Sequence, residues 1–105
     1  MVGDACFVSG TTDAGSDGHS QHPGDIAGQA EAIFGIIAAA LRDGGFGLEH
    51  VVRTRMFVTD ISRSAEALEV HRRWFAEVRP AASMVQVAAL IDPSLLIEIE
   101  VDARR

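Results

Sequence analysis

Between residues 95 and 102, Ile97, Ile99 and Val101 alternate strictly with Glu98, Glu100 and Asp102. A period of two puts three carboxylates on one face of a strand and three branched apolar groups on the other. A second β-rich run covers residues 83–90, and Ile91-Asp92-Pro93-Ser94 lies between the two. Pro93 presets φ for a turn and cannot donate to a ladder, so the spacing predicts a β-hairpin. Alternation also marks His50–Thr59, with Val52, Thr54, Met56 and Val58 on one face and Val51, Arg53, Arg55, Phe57 and Thr59 on the other. A shorter β-prone run occupies residues 4–9.

The period changes in two stretches. From Asp25 to Arg42, Ile26, Ala30, Ile33, Phe34, Ile37 and Leu41 recur at helical spacing, with Asp25 as N-cap and Gly44-Gly45 as the stop. Asp60 caps a second predicted helix running to about Val78, with Ile61, Ala65, Leu68, Phe75 and Val78 as its apolar stripe and Trp74 at the edge. The order strand, helix, strand, helix, strand, strand implies an α+β layer, with two helices on one face of a small sheet and the other face uncovered. A bare sheet face carrying arginines and carboxylates suits packing against another subunit, or a site between subunits. No internal repeat or linker divides the 105 residues, so one domain is expected.

Composition narrows the chemistry. The chain is 48% hydrophobic and 23% charged, which suits a folded protein rather than a disordered one. Its net charge of −6 repels phosphate backbones and argues against a general nucleic-acid binder. All nine basic residues are arginines, and the absence of lysine excludes Schiff-base mechanisms, pyridoxal phosphate anchoring among them. No cofactor is expected. The longest apolar run, Ala32–Leu41, is too short to span a bilayer and no basic leader precedes it, so a cytoplasmic protein is expected. Cys6, the single cysteine, reads as a small core residue.

Several side chains are candidates for chemistry. Arg53 and Arg55 share one strand face, as do Glu98, Glu100 and Asp102. If both sets occupy the helix-free face, they form cross-strand or inter-subunit ion pairs, or else line a small-molecule site in which a guanidinium clamps a carboxylate and a glutamate handles water. His19 and His22 lie in the Gly-rich loop 10–24, which at that length reads as a lid or mobile segment, or as a disordered surface loop. Their H-x-x-H spacing is a weak metal signal without a rigid helix or further ligands, and no metal is expected. His50 and His71 read as a strand-edge and a helix-surface residue. Ser9 lacks a nucleophile-elbow context, although its hydroxyl or the Gly10 amide suits an anion.

Four blocks carry a resemblance to a known family: Val8-Ser9-Gly10-Thr11; Gln29-Ala30; the run Leu48 to Asp60; and Arg79-Pro80-Ala81 leading through Val85-Gln86-Val87-Ala88-Ala89-Leu90 to Ile97-Glu98-Ile99-Glu100. In this order and near this spacing, the chain resembles the Rid family, the reactive intermediate deaminases, also called YjgF-like or endoribonuclease L-PSP-like proteins. The resemblance implies a chorismate-mutase-like α+β fold, a homotrimer whose sheets line a central barrel, and ligand clefts between subunits. It implies hydrolysis of enamines or imines to carbonyl compounds and ammonia, with Glu98 positioning the attacking water and Ser9-Gly10 forming the ligand-contacting turn. Other members are described as ribonucleases or translation inhibitors.

One departure matters. The family's deaminating members carry Pro-Ala-Arg-Ser, whereas this chain reads Pro80-Ala81-Ala82-Ser83, so Ala82 stands at the carboxylate-gripping position. Met84 stands where a cysteine or small residue is common, and the family's preceding strand, with its ligand-contacting aromatic, has no counterpart in these residues. The expected ligand set is therefore Ser9, Gly10, Ala82, Ser83 and Met84, with Arg53, Arg55 or Arg79 replacing the clamp. A non-catalytic trimer binding a small metabolite in the same cleft is the alternative.

Overall fold

A computed structural model describes residues 1–105. Strand β1 is Ala5–Thr11, helix α1 Ile26–Asp43, strand β2 Val51–Val58, helix α2 Ser64–Phe75, strand β3 Ala81–Gln86 and strand β4 Ile97–Arg104. One sheet takes all four strands in the order β1-β4-β2-β3. Both helices lie over one face, where Ile97, Ile99, Val101 and Ala103 of β4 meet Met56 and Val58 of β2 and Ile33, Phe34 and Ile37 of α1 in a closed core.

The helix α1 forms as its periodicity predicts. Asp25 accepts a hydrogen bond from the Gly28 amide, supplying one of the acceptors that a helix start lacks. All six of the predicted stripe positions after the cap, and Gln29 with them, are buried.

The predicted hairpin does not form. β3 pairs with β2 in parallel, and β2 lies between β3 and β4. Residues 87–96 are a connection rather than a strand followed by a tight turn. Two reasons stand in the side chains. The apolar row of β4 is fully buried, which suits an inner strand, whereas Ala81, Ala82 and Ser83 are exposed on an edge. Helix α2 also supplies the long crossover that parallel pairing of β2 and β3 requires.

Two further expectations shift. The register of β2 against β4 skips at Val51/Arg53, and this bulge exposes Val52 while burying Val51, reversing the predicted faces there. In α2 the buried side is Ala67, Val70 and Phe75; Ile61, Ala65 and Leu68 are exposed. Asp60 caps a single 3-10 turn, Ile61–Arg63, by accepting from the Ser62 amide, and the α-helix proper ends at Phe75 rather than Val78. Phe34 packs on this side of α2: its ring lies edge-on to Phe75, with centroids 5.3 Å apart, and edge-on to His71, with centroids 5.9 Å apart.

Candidate functional site

The uncovered face of the sheet carries an ordered set of rows. Register places Glu98 beside Phe57 with Val85 beyond it, Glu100 beside Arg55 with Ser83 beyond, and Asp102 between Phe7 and Arg53 with Ala81 beyond. Arg55 reaches Asp102 at 3.1 Å and Glu100 at 3.4 Å, and the Asp102 hydrogen bond raises its pKa. Arg55 is therefore committed. Glu98 is the carboxylate of the β4 row that no cation engages.

What lies beside Glu98 is a bulge. Val8 pairs with Val101 and Thr11 with Ile99, so Ser9 and Gly10 together oppose the single residue Glu100. The extra residue lets the Glu98 side chain fold over Gly10: a Cβ built there would lie 2.5 Å from Glu98 Oε2 and 2.9 Å from Cδ. Glycine here leaves the space that the Glu98 carboxylate occupies. The Ser9 carbonyl accepts from the Thr11 hydroxyl at 2.9 Å, which braces the turn. Ser9, Gly10 and Glu98, far apart in sequence, thus form one cluster on the β1–β4 edge.

The remaining predicted ligands lie elsewhere. Ala82 and Met84 register with Thr54 and Met56 on the helix side of β3, and Ser83 registers with Arg55 on the open side. β3 is three strand spacings from β1, about 14 Å. Arg79 precedes β3 with φ of 56°, a left-handed conformation uncommon for a side chain of this size, and makes no ion pair. Arg53 also has no carboxylate partner in an ion pair. One copy of the chain brings Ser9, Gly10 and Glu98 together but holds Ala82, Ser83 and Met84 at the opposite edge, and no pocket joins them within it.

Sequence reasoning missed a polar network beneath loop 10–24, which is neither detached nor free of contacts. Gln29, fully buried, donates to the carbonyls of His22 and Ser94 and accepts from the Leu96 amide. Asp13, also buried, accepts from the Ser20 hydroxyl at 2.9 Å and from His22 Nδ1 at 3.0 Å. His19 Nδ1 donates to Asp92 at 3.1 Å. Asp92 is depressed to about 2, chiefly by the hydroxyl and amide of Ser94 and then by His19. The two loop histidines therefore serve different aspartates, and no group of three or more potential metal ligands forms. The signal available was Gln29, one polar residue inside an apolar helical stripe.

Two other histidines also depart from expectation. His71 is half-buried rather than on the helix surface. It stacks against Phe75, shares a 2.9 Å hydrogen bond with Thr54, and burial lowers its pKa. His50 lies in the 3-10 turn before β2, where its Nδ1 accepts from the Gly47 amide.

The endoribonuclease L-PSP family model matches residues 1–105. The chain belongs to this family. A Streptomyces coelicolor protein of uncharacterized function is 35% identical over 105 residues, covering 99% of this chain and 77% of that protein. The 3-aminoacrylate deaminase RutC of Acinetobacter baylyi is 32% identical over 93 residues, covering 89% and 73% respectively. Among solved structures, a YjgF-family member from Mycobacterium tuberculosis superposes with a TM-score of 0.89 at 46% identity, covering all of this chain and 82% of the other. The L-PSP (YjgF-like) family assignment and the small α+β architecture thus agree with the resemblance read from the four sequence blocks.

Proposed function

We propose that this chain hydrolyses a reactive enamine or imine to a carbonyl compound and ammonia, in a cleft that forms only between copies. The observation that carries the reading is Glu98, an unpaired carboxylate held against a glycine bulge. In this reading Glu98 takes a proton from a water as that water attacks the C=N carbon. It returns the proton to nitrogen, and the tetrahedral adduct collapses with loss of ammonia. An enamine first takes a proton on carbon and releases one from nitrogen, which converts it to the imine. A relative named for 3-aminoacrylate deaminase activity supports the substrate class.

The cleft pairs the Ser9-Gly10-Glu98 edge of one copy with the β3 edge of another, in a trimer whose uncovered sheet faces point inward. Exposed Phe7 and Val85 on that face, 61% and 48% accessible, supply apolar area for such contact. Arg55 is occupied by Glu100 and Asp102, so the candidates to replace a clamp at Ala82 are Arg79 and Arg53, with Arg79 favoured by its position at the head of β3. Ammonia release from freshly generated imines, charged and neutral, tests the proposal. Glu98→Gln should lower the rate by about 100-fold or more. No acceleration by the native protein across the panel overturns it.

The small exposed Ala82 favours a second reading, in which the cleft binds a metabolite without turnover. Saturable binding with no ammonia released, equal in Glu98→Gln and the native protein, would select it. A ribonuclease role ranks below both, because a net charge of −6 opposes RNA.

A further inference from the structure

Segment 12–22 carries two histidine–aspartate pairs, one that ties it to the body and one within it. His19 Nδ1 donates to both oxygens of Asp92, at 3.1 and 3.2 Å, on the 91–96 connection. His22 Nδ1 donates to Asp13 at 3.0 Å within the loop, and the side chain of Asp13 is 1% exposed. One carboxylate oxygen of that aspartate, Oδ1, is buried with no hydrogen-bond partner, so the closed loop holds a carboxylate incompletely satisfied. Around these pairs the Ala14–Ser20 bridge and the Gly15 amide on the His19 carbonyl shape the loop, while the Ser20 amide on Ser94 Oγ and Gln29 Nε2 on the His22 carbonyl are further ties to the body.

We propose that residues 12–22 form a pH-responsive strap, held to the 91–96 connection by the His19–Asp92 pair while that imidazole is charged and loosened as it loses its proton. Histidine is the side chain that changes charge between about pH 5 and 8, so the His19–Asp92 contact turns from an ion pair into a plain hydrogen bond across the physiological range. The groups facing His19 are Asp92 and Asp17, whose Oδ1 also accepts from the His19 amide. Those facing His22 are Asp13 and, from the start of α1, Asp25, whose carboxylate lies beside the His22 ring at Gly28. Arg63 donates to the Gly24 carbonyl while paired with Glu66, and no arginine forms a salt bridge with Asp13, Asp17, Asp25 or Asp92. Carboxylates thus dominate the surroundings of both rings.

Asp92 raises the pKa of His19 above its ordinary 6.5, so that pair's contribution is complete below 6.5 and is lost as pH climbs through the raised value. Asp92 is depressed from 3.8 to about 2, so its contribution is present above 3.8 and fades as pH falls towards 2. The closed strap is favoured between those limits. Its first residue follows the Ser9-Gly10-Thr11 bulge directly, so loosening reaches the chain beside Glu98 whether or not Glu98 is catalytic.

Hydrogen exchange by mass spectrometry on the full chain, corrected for intrinsic rates, tests this at about pH 5.5 and about pH 8.5. Protection of the peptide covering residues 14–22 should fall by about two- to fivefold at the higher pH, while α1 and β4 peptides hold theirs. In His19→Gln the loop peptide should lose that pH dependence, and Asp92→Asn should reduce it. Native protection that is the same at both pH values, or a dependence that persists in His19→Gln, overturns the proposal.

Discussion

Gly10 shows how much a missing side chain can specify. Its φ is not in the left-handed region, so the backbone would accept alanine; the obstruction is the Glu98 carboxylate 2.5 Å from where a methyl would sit. Gly10→Ala should leave the fold intact, because a glutamate is flexible enough to swing aside. The displaced carboxylate should nonetheless cost about 100-fold in any ammonia-releasing activity, as a reacting group moved by about 1 Å does. Thermal unfolding alongside the ammonia assay separates the two effects. At His71 the same scale predicts a pH effect. Burial lowers its pKa from 6.5, so below 6.5 the unfolded chain takes up a proton that the folded chain resists, and stability falls with pH there. His71→Gln should flatten that part of the stability profile in urea titrations between about pH 7 and 5. Neither role was legible beforehand: one depends on a residue 88 positions away, the other on an aromatic stack.

Among the elements, α1 was readable because its buried positions repeat over 18 residues and begin at a capping aspartate. α2 was not, because its 12 residues carry apolar groups on two sides. The expected stripe through Ile61, Ala65 and Leu68 is exposed, and Ala67, Val70 and Phe75 face the core, where Phe34 meets Phe75 and His71. Gln29 joins the two regimes. Gln29→Leu preserves the periodicity and the volume but strips partners from the Leu96 amide and the Ser94 carbonyl, and leaves the His22 carbonyl with the Asp25 amide alone. Unsatisfied buried groups cost about 1–3 kcal/mol each, so the substitution should destabilise the chain by at least about 2 kcal/mol in denaturant unfolding, despite the gain in apolar character. Phe34→Ala, which empties the centre of the core, should cost about 3–5 kcal/mol by the same measurement.

For the whole molecule, the decisive feature is that β4 is an inner strand. It receives β1 on one side and β2 on the other, so its acidic row runs down the middle of an uncovered face instead of along a hairpin edge. Exposed Phe7 and Val85 on that face, with Arg53 free of ion pairs, lead to the expectation of a trimer by light scattering. Val85→Arg should shift the population to smaller species without altering the helical content seen by circular dichroism. A native protein that stays monomeric at micromolar concentration would remove the inter-copy cleft and the proposed activity with it.

The sequence alone determined the local periods, the cap and stop of α1, the segregation of carboxylates from apolar groups along β4, and, through four spaced blocks, the family. Those are short-range properties, set by backbone geometry and by which neighbours share a face. Only the tertiary structure decided which strands pair, which side of α2 turns inward, that Arg55 is taken by two carboxylates, and that Glu98 lies free beside Gly10. Those outcomes depend on which of several locally equivalent surfaces loses water against a partner distant in the chain, and no period records that choice.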